Sequence, residues 1–315
     1  RNAMNANTTA NYNTAVGYQA LYANTTGAQN TAVGGSALDA NTTASFNTAL
    51  GYQTLSTNTT GYDNVAVGND ALLSNSTGAE NVAVGKQSLD ANTTGIKNVA
   101  IGKYSLSGNT TGGSNTAVGD QALFTQTGAD HNIAVGRSVL YANTTGTKQV
   151  AIGNYALYDN TTGSQNTALG YGTLANNTTA SNNTAIGFES LTQNTTGTYN
   201  TAVGYKTLDA NTAGNWGTAV GYDSLTNNNG TENTAIGGNS LKNNTTGGYN
   251  TACGISALES NTTASNNVAV GRNAMAVNTT GTENVAVGAL ALDANTTADN
   301  NTAVGYQAMI ANTTG

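Results

Sequence analysis

The chain has 315 residues and a formal net charge of −7, and only 8% of its residues are charged. Its apolar content is 37%, below the roughly 45–50% of a packed globular domain, so any core must be thin. One cysteine and one histidine exclude a disulfide framework and a His/Cys metal cluster, no run of about 18 apolar residues predicts a membrane span, and no basic face suggests nucleic-acid binding.

A short motif repeats along the whole chain. Residues 13–17 (Asn-Thr-Ala-Val-Gly) return with little change every 17 residues, up to residues 301–305, which gives 18 copies. The one irregular step is the 16 residues between Gly221 and Gly237. Helical-pair repeats need about 33 residues or more, so a 17-residue period favours one turn of a β-structure per copy.

Each copy reads as two short strands and two turns. In the first copy, the Thr/Val-rich residues 13–17 predict a strand, residues 20–22 a second strand, and the Asn-Thr-Thr-Gly of residues 24–27 a return turn. The predicted fold is all-β: a parallel β-solenoid of 17-residue coils with two strands per coil, forming a single repeat domain over residues 1–315. At roughly 4.8 Å per rung, 18 coils would extend about 85 Å. The first copy is incomplete and no polar caps are evident, so we expect a segment of a longer fibre.

The columns of the repeat predict which side chains lie inside. Ala15 is alanine in all 18 copies, which indicates an interior with room for one methyl group, and Leu21 heads a column of Leu and Met that should form the core. Side chains alternate along a strand, so the β-branched columns headed by Thr14 and Val16 should face outward. We expect this aliphatic row to be a seam between chains, formed in the first nine copies by Val16, Val33, Leu50, Val67, Val84, Ile101, Val118, Val135 and Ile152. The alternative is a flattened single-chain roll with valine inside and alanine outside.

The motif resembles a known family. Asn-Val-Ala-Val-Gly at residues 64–68, 81–85, 267–271 and 284–288 is similar to the head repeat of YadA-like trimeric autotransporter adhesins, and the unit at residues 13–27 is similar to repeats of phage tail fibres and surface fibre proteins. The resemblance implies a left-handed β-roll with a small residue inside, a homotrimer formed along an aliphatic stripe, and an extracellular place on a cell or virion surface. It departs in the second half of the unit, at the Leu21 column and the longer turn.

The turn asparagines allow two interpretations. In-register Asn-x-Ser/Thr triplets would be glycan acceptors if the source glycosylates asparagine; the candidates are Asn24, Asn41, Asn58, Asn92, Asn109, Asn143, Asn160, Asn177, Asn194, Asn244, Asn261, Asn278 and Asn295. The favoured interpretation is that Asn and Thr cap their turns and stack into hydrogen-bonded ladders. The Asn13 column is likewise read as an interior amide ladder.

No residue pattern predicts catalysis, a metal or a cofactor. His131 lies in a variable turn, Cys253 replaces an aliphatic residue and should be a small buried hydrophobe, and the aspartates at 39, 90, 209 and 293 are isolated. The tyrosines that follow the repeat glycine should form an exposed column. Trp216, the single indole, lies in the irregular copy, where we expect it to fill a defect.

We therefore expect a non-enzymatic structural shaft or head of an extracellular fibre, associating with itself and, at most, with a host surface or cell-surface glycan. The alternative is a binding module whose repeated face is itself the site, for ice or for glycan. A third hypothesis is a filament of chains joined end to end.

Overall fold

The computed structural model describes residues 3–314, and every regular element among them is a three-residue β-strand. Arg1, Asn2 and Gly315 lie outside the described residues. The strands, β1 to β18, are Thr14–Val16, Thr31–Val33, Thr48–Leu50, Val65–Val67, Val82–Val84, Val99–Ile101, Thr116–Val118, Ile133–Val135, Val150–Ile152, Thr167–Leu169, Thr184–Ile186, Thr201–Val203, Thr218–Val220, Thr234–Ile236, Thr251–Cys253, Val268–Val270, Val285–Val287 and Thr302–Val304.

The chain divides into two compact units, which we call the N-terminal unit (Arg1–Thr162) and the C-terminal unit (Gly163–Gly315). Within each unit, consecutive strands pair in parallel and each residue faces its equivalent in the next coil. At β13–β14 the spacing is 16 instead of 17, yet Ala219 still pairs with Ala235. The predicted parallel β-solenoid is thus confirmed, whereas its left-handed sense and its description as a single domain stay predictions.

Alanine lies inside the coil and the β-branched residues lie outside. The middle alanine of β2 to β17 is completely buried, and so are Leu21 and its equivalents through Leu292. The outer positions of the strands are half-buried or exposed. Successive side chains on an extended strand point to opposite faces, so one methyl group inward fixes two β-branched side chains outward. The alternative roll with valine inside is therefore wrong.

The second predicted strand is also wrong. Residues 19–23 form turns in which Gln19 and Leu21 have φ of 55° and 51°. The reason is that Ala20 and Leu21 are neighbours and are both completely buried, which an extended chain cannot achieve. Reversing the sign of φ brings both side chains inward, at a cost of roughly 1–2 kcal/mol for each left-handed residue. The leucine column repeats this conformation with φ between 47° and 55°.

A glycine ends each strand because two coils approach closely there. Gly204 has a φ of 139°, and a Cβ at this position would overlap the carbonyl oxygen of Gly221 in the next coil. No L-residue fits both the backbone conformation and the space. The backbone of this corner still continues the ladder, since the Gly204 N–H donates to Ile186 O at 2.8 Å.

Two columns of buried asparagines close the remaining corner. In one coil, the Nδ2 groups of Asn64 and Asn75 both donate to the Gly78 carbonyl at 2.9 Å. Asn75 Nδ2 also donates to Asn58 Oδ1 at 2.9 Å, while Asn64 Oδ1 accepts the backbone N–H of Asn81 at 3.0 Å. These amides satisfy turn groups that water cannot reach, which a buried backbone requires. The predicted interior amide ladder is confirmed.

Candidate functional site

The outer face of the strands carries the predicted seam. Of its nine residues in the N-terminal unit, Val16, Leu50, Ile101 and Ile152 are exposed and Val33, Val67, Val84, Val118 and Val135 are half-buried. In-register pairing places each directly beside the next, about 4.8 Å away. The wall of the coil is a single layer, and within each unit no described segment packs over this row. The result is a continuous aliphatic stripe on the surface of each unit.

The corresponding row of the C-terminal unit contains Cys253. Its side chain is exposed, so the expectation of a buried hydrophobe is wrong. The thiol occupies the third residue of β15, and that position points outward in every coil. It lies between Ile236 and Val270, which are also exposed. Cys253 therefore belongs to the stripe rather than to the core.

The turn asparagines lie inside the coil. All thirteen candidate glycan acceptors have no exposed surface, and Asn24 shows why: its Nδ2 donates to Gly27 O at 2.9 Å, and its Oδ1 accepts from Asn41 Nδ2 at 2.8 Å. The acceptor nitrogen is thus already committed and enclosed. The folded coil favours the ladder and does not present these amides to a glycosyltransferase.

The column after the repeat glycine forms an exposed aromatic stack in the C-terminal unit. The rings of Tyr171, Phe188, Tyr205 and Tyr222 stack in this order, each within 10° of parallel to the next, with successive centroids 5.5, 5.5 and 5.1 Å apart. This offset stacking is favourable for aromatic pairs. The exposed tyrosine column is confirmed, and its stacking follows from the strand register.

A second stack in the N-terminal unit was not foreseen. Phe124, Tyr141 and Tyr158 follow the core leucine in consecutive coils, and their rings stack at 5.2 Å and 10°. All three are half-buried. The signal in the sequence was their 17-residue spacing, which places any three such residues in one row.

Trp216 does not fill a defect. Its side chain is 58% exposed and stacks on Tyr199, with centroids 4.3 Å apart and planes at 7°. A surface pocket of about 400 Å³ is lined by Trp216, Glu232 and Thr234. The pocket lies at the irregular 16-residue step, which Gly217 and the single tryptophan also mark in the sequence.

Titratable groups are few and dispersed. Burial raises the pKa of Asp39, Asp90, Asp209 and Asp293, which all follow the core leucine. His131 is exposed in its turn, as expected. Among residues 3–314, no three His, Cys, Asp or Glu side chains are grouped as metal ligands would be.

No family model matches the chain, and no curated protein matches its sequence. In the described part of the chain, no helix is long and apolar enough to cross a bilayer.

Proposed function

We propose that the chain is a non-enzymatic structural segment, a shaft or head, of an extracellular fibrous protein, and that copies associate along the aliphatic stripe as a homotrimer. The observation that carries this proposal is the stripe itself: an in-register row of Val, Ile and Leu, with one Cys, that is exposed or half-buried in every described coil. Monomeric proteins rarely leave a contiguous apolar row of this kind uncovered. A second copy of the chain presents the same row with the same spacing, so the two surfaces match coil by coil.

The resemblance to YadA-like heads and to tail-fibre repeats supports the trimer. In that family, a small residue faces the inside of the roll and the aliphatic stripe joins the chains. The coil here has the same division, as in β6, where Ala100 is completely buried and Ile101 of the stripe is exposed. Extracellular localisation on a cell or virion surface is proposed from the resemblance alone.

The coil has properties suited to a load-bearing segment. Within the described part of the chain, an interior coil donates backbone hydrogen bonds to both neighbours, as when Leu38 N donates to Thr54 O at 3.0 Å and Gly34 N donates to Val16 O at 2.8 Å. In such repeats, stability is approximately the sum of neighbour interfaces, so length adds stability. The many copies of one weak surface would also let a fibre bind by avidity.

The test is the mass of the chain in solution, measured by light scattering over micromolar concentrations. A trimer has three times the subunit mass of 31.6 kDa. In the double variant Ile101→Lys/Ile152→Lys, two charges would be buried in the seam, so we expect the trimer to dissociate while circular dichroism stays unchanged. The control Tyr62→Lys alters an exposed turn residue outside the stripe and should remain trimeric. A monomeric parent chain would overturn the proposed assembly.

One observation favours ice binding as a second candidate. In the C-terminal unit, the outward Thr column is uninterrupted over six coils and in register; its members are Thr167, Thr184, Thr201, Thr218, Thr234 and Thr251. Such a row places hydroxyl and methyl groups at a regular spacing of about 4.8 Å. Thermal hysteresis that is lost in Thr201→Lys would support this candidate, and its absence in the parent chain would eliminate it.

A further inference from the structure

Three departures from the repeat fall in one place. The only 16-residue step separates Gly221 from Gly237, Gly217 stands where sixteen of the other copies have asparagine and one has glutamine, and the single tryptophan precedes it. A pocket lined by Trp216, Glu232 and Thr234 lies beside them. Glu232 and Thr234 fall within the short step, and Gly217 follows Trp216 in the chain. In a chain that otherwise keeps its pattern, a pocket built from these departures is a feature of its own, distinct from the repeated face.

The indole is a fixed platform with one face turned toward the pocket. Tyr199, from the preceding coil, stacks on Trp216 at 4.3 Å and nearly parallel. Glu232 and Thr234 belong to the following coil, so the pocket lies on the opposite side of the ring. The Trp216 backbone N–H donates to Thr198 O at 3.1 Å, which ties the residue to the preceding coil. A ring held in this way loses little freedom when a ligand stacks on it.

The other two lining residues supply hydrogen-bonding groups. Glu232 is exposed, and its backbone N–H donates to Asn215 O at 2.9 Å. The ion pairs among the described residues are Lys206–Glu189 and Lys242–Asp223, so neither neutralises Glu232. A carboxylate accepts hydrogen bonds only, whereas the Thr234 hydroxyl can donate or accept. The pocket therefore combines one aromatic face, one strong acceptor and one hydroxyl.

We infer that this pocket binds one neutral pyranose ring of a glycan. The axial C–H face of the sugar stacks on the indole of Trp216, and its hydroxyls donate to the Glu232 carboxylate and bond the Thr234 hydroxyl. About 400 Å³ lies within the usual range of small-ligand sites. Sialic and uronic acids are disfavoured by Glu232 and by the net charge of −7. A quaternary ammonium ion, which prefers a cage of several aromatic faces, finds only one here.

The single tryptophan makes the test direct. Intrinsic fluorescence of the full chain is followed while methyl glycosides of glucose, galactose, mannose and N-acetylglucosamine are added, up to about 0.1 M. For at least one sugar we expect a saturable change with a millimolar dissociation constant, the range for a single shallow ring site. The matching glucuronide should bind at least tenfold more weakly. The Glu232→Gln variant should weaken the neutral sugar several-fold and remove the discrimination against the glucuronide.

A matched pair of variants locates the site in a binding assay on immobilised glycans. Trp216→Ala should lose at least tenfold in binding, whereas Phe46→Ala, which changes an exposed ring with a similar backbone conformation (φ 64° against 58°), should bind as the parent does. Absence of any saturable signal with the neutral sugars, equal effects of the two variants, or saturation by tetramethylammonium alone would each overturn the inference. Solution mass should be the same in both variants, which separates this outcome from the fate of the proposed trimer.

Discussion

The strand side and the leucine side of each coil both hydrogen-bond to the adjacent coil, but their backbone conformations differ. On the strand side, Thr14 N donates to Asn30 O at 2.8 Å in regular parallel geometry. On the leucine side, Leu21 N donates to Ala37 O at 3.0 Å although Leu21 has a left-handed φ. Both sides therefore repeat with the coil, but only one is a β-sheet.

The difference shows what determines the backbone on each side. The strand side buries one small residue between two outward ones, which an extended chain does without strain. The leucine side buries two consecutive residues, Ala20 and Leu21, and only a reversal of φ allows it. Substituting an outward residue on the strand side should therefore change the free energy of unfolding little. On the leucine side, the left-handed backbone is stabilised by the burial of Ala20 and Leu21, so changes to the buried residues should cost more.

The largest effect is expected at the corner that ends the strand side. Gly204→Ala would force a Cβ into the Gly221 carbonyl and should lower the free energy of unfolding by about 3 kcal/mol or more, measured by chemical denaturation. Gly172→Ala is the control: its φ is 63°, and its Cβ would meet only Glu189 Cγ at 3.6 Å. It should cost about 1 kcal/mol. Equal losses would show that the close approach of the coils is not the cause.

The next effect tests the leucine side. Leu208→Ala removes a completely buried side chain and should cost about 2–5 kcal/mol. Leu290→Ala removes the same side chain from a half-buried position whose φ is also positive, at 60°. Its loss should stay below about 1 kcal/mol, because only the burial differs. A large loss in both variants would contradict burial as the cause, because alanine keeps the same left-handed backbone at either position.

A smaller effect concerns the amide ladder that joins the two sides. Gln126 stands in the Asn24 column, and its longer side chain accepts from Asn132 and Asn143, which leaves Asn109 Oδ1 buried without a partner. Gln126→Asn should restore an amide donor to Asn109 Oδ1 and raise the free energy of unfolding by about 1 kcal/mol. The midpoint of thermal unfolding should rise accordingly. The reverse change, Asn75→Gln in an intact part of the ladder, should lower it. A fall in both would contradict the ladder as the stabilising feature.

The smallest effect is a pH dependence of the free energy of unfolding, caused by an aspartate that follows the core leucine. Burial raises the pKa of Asp90, so the folded state binds this proton more readily than the unfolded state. The stabilisation from protonating the Asp90 carboxyl is fully present below the pKa of this group in the unfolded state. It is lost as the pH rises through the pKa in the folded state. In the parent chain, the Ser107 hydroxyl donates to Asp90 Oδ1 at 2.6 Å. Asp90→Asn keeps an amide oxygen as the acceptor for this hydroxyl and should be more stable than the parent near pH 7. The gap should close near pH 3, as denaturation curves at both pH values would show.

The repeat predicts the strand side well and the leucine side poorly. An invariant alanine between β-branched residues has one simple interpretation, and the outward stripe follows from it. The positive φ of Leu21 could not be read in the same way, because leucine has no local preference for that conformation and accepts it only for the burial gained. Cys253 is a different case, because the sequence already predicted that its row faces outward, and the expectation of burial did not apply that prediction to the cysteine.

The pocket at Trp216 was partly visible. The missing residue between Gly221 and Gly237 marked the coil, but the direction of the indole depends on Tyr199 one coil earlier. Contacts between coils are fixed by the register and by the local path of the turn, and only the register is evident from the spacing.

The shortened step at β13–β14 has a consequence for design and evolution. One residue is missing from a turn, yet Thr218 faces Thr234 and the alanine and leucine columns continue on either side. A change of length in this turn therefore leaves the register of the neighbouring coils unchanged, so we expect that one coil can be altered without altering the others. Foreign peptides could be inserted into this turn and displayed at a chosen coil. In evolution, a deletion in one turn could change a single coil while the rest of the solenoid keeps its structure.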